Sequence, residues 1–423
     1  MVTTWVPPSW MSVSKRQAEV TLAVLLGLMV LVPLVRSVFG VGYWVWAVPA
    51  VLSVVAATLV VVARPSVARP QLLGISLMMA FVAALTASSM INGSLETVDA
   101  MRLAVLVVAL SLGTVLRVPE AFRAFVLVVV GGGLFFSVAV IGVTVTGLGL
   151  EVLQERDGYL ATGLRQAMAL AAAAGILVAV AAFGGRSRRT IMLVLLCAVA
   201  AVGLALNHGR GAMLWGVVAA MVVVVIGLTA SLMQGGRSVR LVRARRAMWI
   251  WLAVPVLPVV VTWLAMLDPR SEGRIRRVLE NPLEAESRFL IWERSIEAIA
   301  QAPWMGGGVG SYRDIHPTYA HNVFLHAAED GGILATWILM ILVAAALVGA
   351  VVRIWRRPEW WGYGLVGILL VVALSAQTST NLYDWIALFV PLGIVWGYLS
   401  KRPPGGAALD SAGGQRWVSA RSS

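Results

Sequence analysis

Charge is what this sequence has least of: 13% of its residues are Asp, Glu, Lys or Arg, where about a quarter is usual for a soluble domain. That shortage excludes a cytosolic enzyme and a disordered chain. Cysteine is nearly absent too. Cys197 stands alone, which removes any intrachain disulfide and any cysteine metal site, and with them a secreted disulfide scaffold. Strict polar–apolar alternation is missing from stretches such as 217–227, so a closed β-barrel is excluded as the way across a bilayer. What remains is apolar. Hydrophobic residues make up 60% of 423, and the mean hydropathy is +0.87. The chain reads as an all-α, polytopic integral membrane protein.

Apolar runs fall at 20–39, 43–63, 71–90, 101–117, 122–149, 160–183, 190–206, 211–232, 247–267, 333–352, 361–379 and 381–400, which predicts about 12 transmembrane helices. The first follows Lys15 and Arg16, is too long for a signal-peptide core and has no small-residue cleavage site, so it is expected to be retained. The chain then divides into helices one to nine (1–267), one long loop (268–332), helices ten to twelve (333–400) and a Gly/Pro/Ser-rich tail (401–423) expected to be disordered.

With the N-terminus inside and sides alternating, the inner segments collect 21 basic residues against four acidic ones, Glu19, Glu120, Glu359 and Asp410. This is the positive-inside pattern, and it places both termini in the cytoplasm. The net charge of +13 is therefore an orientation signal and a contact for anionic membrane lipids, not a nucleic-acid footprint.

The long loop lies outside. Within it, residues 287–299 repeat with helical period, Phe289, Trp292, Ile296 and Ile299 on one face, and stop at Pro303 and the run Gly306–Gly307–Gly308. Such an amphipathic helix would lie against the bundle or in the membrane interface. All four histidines, His208, His316, His321 and His326, also fall outside, where an imidazole can exchange a proton near neutral pH. The spacing of 316, 321 and 326 would splay ligands by about 140° per step on a helix, and His-Glu-x-x-His is absent, so no metal site is expected. Arg36 and Arg102 fit snorkelling anchors at outer helix ends. For Arg165, a turn inside its span, and Arg210, between glycines 209 and 211, anchoring and a functional role stand side by side, since a guanidinium fork can hold a diphosphate by paired charge-assisted bonds. Gly306–Gly310 lacks the strand–helix context of a nucleotide loop.

In order, the chain shows Arg210–Gly211–Ala212, Ser287–Arg288 with Trp292, the run 303–310 (Pro-Trp-Met-Gly-Gly-Gly-Val-Gly), and 320–325 (Ala-His-Asn-Val-Phe-Leu) with Glu329, Gly331 and Gly332. This pattern resembles the O-antigen ligase and O-antigen polymerase superfamily, best over about residues 200–400. The resemblance implies a GT-C-like glycosyltransferase of the bacterial inner membrane with its active site on the periplasmic face. It implies transfer of a glycan from undecaprenyl diphosphate to a sugar hydroxyl of lipid A–core or another envelope glycolipid, with no cofactor and no metal. His321 would be the general base, and Arg210 and Arg288 would hold the diphosphate, with Arg165 added by its position in the sequence as a third phosphate contact. Asn322, His326 and Trp292 are candidate acceptor-side or supporting residues. One substantial outer loop, where the polymerases tend to have two, favours ligase over polymerase. Two lysines against 31 arginines point to a GC-rich genome; if it is one without lipopolysaccharide, the acceptor would be another envelope glycan or glycolipid. A lipid-linked glycan transporter is the third reading, disfavoured because no internal repeat is visible and the polar residues gather at the outer end.

Overall fold

The computed structural model describes residues 9–31, 68–94, 96–146, 156–183, 187–207, 210–233, 288–312, 320–378 and 386–400. The runs at 43–63 and 247–267, His208 and His316, the start of the long loop and the tail after 400 lie outside the described residues. Eleven helices and no strand occur among the described residues: α1 (Ser9–Leu31), α2 (Arg69–Asn92), α3 (Thr97–Thr114), α4 (Pro119–Thr146), α5 (Arg156–Phe183), α6 (Ser187–Leu206), α7 (Arg210–Met233), α8 (Arg288–Gln301), α9 (Val323–Arg356), α10 (Trp360–Ser375) and α11 (Ile386–Leu399).

Their limits follow from the sequence. Pro70 and Pro119 sit in the first turns of α2 and α4, where a missing N–H costs nothing. Gly93, left-handed at φ 64°, closes α2 by donating its N–H to the Met90 carbonyl. Helices α2, α4, α5, α7 and α9 contain stretches long and apolar enough to cross a membrane; α6, α10 and α11 are shorter apolar helices.

The order of the bundle follows from which helix hides most. The apolar window of α5 is 83% buried, against 33% for α2 and α9, so α5 is the central post, touched by α4, α6, α7 and α10. Around it α1 lies on α4, α3 on α11 and α2 on α9. These contacts are close because small residues sit at them: a Cβ on Gly367 of α10 would fall 2.8 Å from the Ala171 carbonyl of α5, and one on Gly393 of α11 would strike the Leu110 carbonyl of α3. On the outer side of α9, Leu334, Trp337, Ile341 and Val348 form an exposed apolar stripe, the surface a bilayer would cover.

One end of the bundle is tied by a polar cluster. Buried Glu19 of α1 accepts the N–H groups of Arg117 (2.7 Å) and Val118 (2.8 Å), just ahead of α4, while Arg16 reaches Glu120 at 2.7 Å. Gln71 of α2 accepts from Arg117 at 2.9 Å and donates to the Thr114 carbonyl. Arg353, near the end of α9, lies 4.5 Å from the ring centre of Tyr398 on α11. The opposite end carries the candidate site.

Candidate functional site

At that end α9 is broken. Gly332 has φ 70° and ψ −173°, a conformation essentially confined to glycine, and a Cβ there would strike the Trp304 carbonyl. The break separates a polar piece, 323–331, from the apolar run that follows. The apolar pattern begins only at 333, so the preceding turns read as loop, yet they are helical. Asn322 explains this: its side-chain oxygen accepts from the N–H groups of Phe324 (2.9 Å) and Leu325 (3.2 Å), capping a helix the hydropathy does not reveal.

A helix break leaves carbonyls without their usual partners. The glycine-rich run supplies them. Gly307 N–H donates to the Glu329 carbonyl at 2.7 Å, Gly308 N–H to that of Asp330 at 2.9 Å, and Ile333 N–H returns to the Pro303 carbonyl at 2.8 Å. Gly306–Gly310 is thus a brace on the broken helix. Three polar residues in the last turns of α2 clamp both parts: Ser88 donates to the Asp330 carbonyl (2.7 Å), Ser89 accepts from Val309 N–H (2.7 Å) and Asn92 donates to the Gly306 carbonyl (3.2 Å). In the sequence, hydropathy alone marks α2. The signal available was a polar trio, 88, 89 and 92, on one side of an otherwise apolar run's end.

Inside the brace, His326 Nε2 lies 3.3 Å from Asp330 Oδ2, and both side chains are wholly buried. Ser311 donates to Asp330 Oδ1 at 3.0 Å, and the Tyr312 ring meets the imidazole edge-on with centres 4.5 Å apart. A fully enclosed imidazole cannot meet a sugar, so His326 supports the architecture from within.

His321 is different. It is partly exposed, precedes the cap of α9, and at φ 54° is the single non-glycine residue with positive φ among the described residues. Left-handed backbone on such a residue is costly and tends to mark functional positions. Its neighbours are held from separate elements. The Trp292 indole N–H of α8 donates to the Ala320 carbonyl (3.0 Å), and Val323 N–H donates to the Ala376 carbonyl just after α10 (2.8 Å).

The arginines are placed by their helices. Arg288 opens α8, one turn before Trp292, and Arg210 opens α7. Trp215 of α7 donates to Thr378 at 2.9 Å, in the short segment whose Ala376 also holds Val323. Hydrogen bonds therefore connect the three elements that begin with or follow 210, 288 and 321 at one end of the bundle. Arg165 lies within α5, 3% exposed, and its Nε donates to the Val30 carbonyl of α1 at 3.1 Å. Gly163, two residues earlier, faces Ala212 of α7. Among the described residues, His, Cys, Asp and Glu do not gather in groups of three that could hold a metal ion.

No curated protein matches the chain. A family model described as O-antigen ligase matches residues 173–340, from the middle of α5 through α6, α7, α8 and the glycine brace to the first turns beyond the break in α9. The matched segment contains Arg210, Arg288 and His321 together with every hydrogen bond that braces 320–332 from the loop side. With its long apolar helices the protein is an integral membrane protein, and over residues 173–340 it is similar to the O-antigen ligase family.

Proposed function

We propose that the protein is an O-antigen ligase-type glycosyltransferase. It moves a glycan from undecaprenyl diphosphate to a hydroxyl of lipid A–core or another envelope glycolipid, at the periplasmic face of the bacterial inner membrane. In this reading about 12 spans in a GT-C-like arrangement keep both termini in the cytoplasm, with the end built from Glu19, Arg117 and Arg353 facing inward.

His321 takes the proton from the acceptor hydroxyl as its oxygen attacks the anomeric carbon. The bond from that carbon to the diphosphate breaks, and the leaving group departs with its electron pair. Arg210 and Arg288 stabilise the charge that develops on it. Attack from the face opposite the leaving group inverts the anomeric configuration. Diphosphate leaves readily once its charge is met, so the reaction requires cations and one base, and no cofactor. Arg165 is the third phosphate contact in this reading.

The observation that carries the reading is the left-handed, partly exposed His321 within the matched segment, whose neighbour Ala320 is held by the helix that Arg288 opens and whose neighbour Val323 is held by the 376–378 segment that the helix opened by Arg210 contacts. The single long outer loop favours ligase over polymerase. The test is reconstitution with a lipid-linked glycan and a glycolipid acceptor. A new glycosidic bond with release of undecaprenyl diphosphate supports the reading. Translocation with no new bond makes the protein a carrier, and elongation of the lipid-linked chain makes it a polymerase.

A further inference from the structure

The torsion φ of His321 describes rotation about its N–Cα bond, relative to the peptide plane that contains the Ala320 carbonyl. Whatever holds that carbonyl therefore sets where the imidazole points. Ala320 is fully buried, and its oxygen accepts the Trp292 indole N–H at 3.0 Å. On the other side of His321 the chain is fixed by Asn322 at the cap and by Val323 N–H on the Ala376 carbonyl. With both flanks pinned, the left-handed backbone of His321 has nowhere to relax while the indole bond holds.

We infer that Trp292 is a positioning residue: its indole N–H locks the 320–321 peptide plane and so aims the His321 imidazole at the acceptor. The inference rests on His321 as the base. It also gives the tryptophan one turn after Arg288 a reason to be there. The helix whose first residue meets the diphosphate also sets the direction of the base, through one hydrogen bond between α8 and the segment entering α9. Trp292 itself touches neither reacting group. Its ring packs edge-on against Phe289, with centres 5.6 Å apart, a contact phenylalanine could keep.

The test replaces only the N–H. Trp292→Phe keeps a ring; 3-benzothienylalanine at the same position, with sulfur in place of N–H, keeps the full indole shape if the phenylalanine variant folds poorly. Two readouts are taken on the reconstituted protein: transfer kinetics, and the rate of carbethoxylation at His321 mapped by mass spectrometry, with buried His326 as control. The expected result is a loss of about tenfold in kcat with donor KM within about twofold, because misaiming a base affects chemistry and not binding. The His321 carbethoxylation rate should change while that of His326 does not. Wild-type kcat together with wild-type His321 reactivity overturns the inference, as does a rise in donor KM at unchanged kcat, which would make Trp292 a donor contact. If His321→Ala retains full transfer while Trp292→Phe still alters His321 reactivity, the base assignment fails and the positioning contact stands.

Discussion

His326 and Asp330 sit one helical turn apart with imidazole and carboxylate 3.3 Å from each other and no solvent on either side chain. Asp330 is the hub: its carboxylate faces His326 and accepts from Ser311, and its main-chain carbonyl accepts from Ser88 and Gly308. Asp330→Ala keeps the main-chain bonds but removes the carboxylate that Ser311 donates to and that faces buried His326, a cost of about 1–3 kcal/mol. The variant should show a clearly lower thermal unfolding midpoint in detergent, while Asp330→Asn, which keeps an acceptor oxygen, should lose less. Equal midpoints for the alanine variant and wild type would contradict the hub.

Gly332→Ala tests the break in α9. Alanine there pays the left-handed penalty of about 1–3 kcal/mol and also drives its methyl into the Trp304 carbonyl. Folded yield by size-exclusion chromatography should fall sharply. Gly142, with φ in the ordinary range and open space around its Cβ position, should accept alanine without loss.

Asn322→Ala removes the cap of α9. About 1 kcal/mol of stability should go, with Asn322→Asp or Asn322→Ser restoring most of it, since each supplies an acceptor oxygen. The same change frees one flank of His321, so kcat should fall with the cap and return with it. A kcat indifferent to the cap would mean that this flank does not position the base.

Much of this architecture could be read from the sequence, and the failures have physical causes. Apolar runs located the helices at 122–149, 160–183, 190–206 and 211–232 to within a few residues, because length and hydropathy are local properties. The capped turns 323–331 escaped because their stability comes from Asn322 and from loop N–H groups arriving from 307 and 308, which no window of hydropathy contains. Gly306–Gly310 was visible as a helix stop, but its purpose as a brace depends on partners 22 residues away, Glu329 for Gly307 and Asp330 for Gly308.

The central claim is best tested by single-turnover transfer in proteoliposomes, using undecaprenyl-diphosphate-linked glycan and a glycolipid acceptor, with wild type, His321→Ala and Arg288→Ala compared at matched folded protein. The account predicts a loss of about 10²–10⁴-fold for His321→Ala, a large loss for Arg288→Ala, and an inverted anomeric centre in the wild-type product. Wild-type transfer rates in the His321→Ala protein, or a product that retains the donor's anomeric configuration, would contradict it.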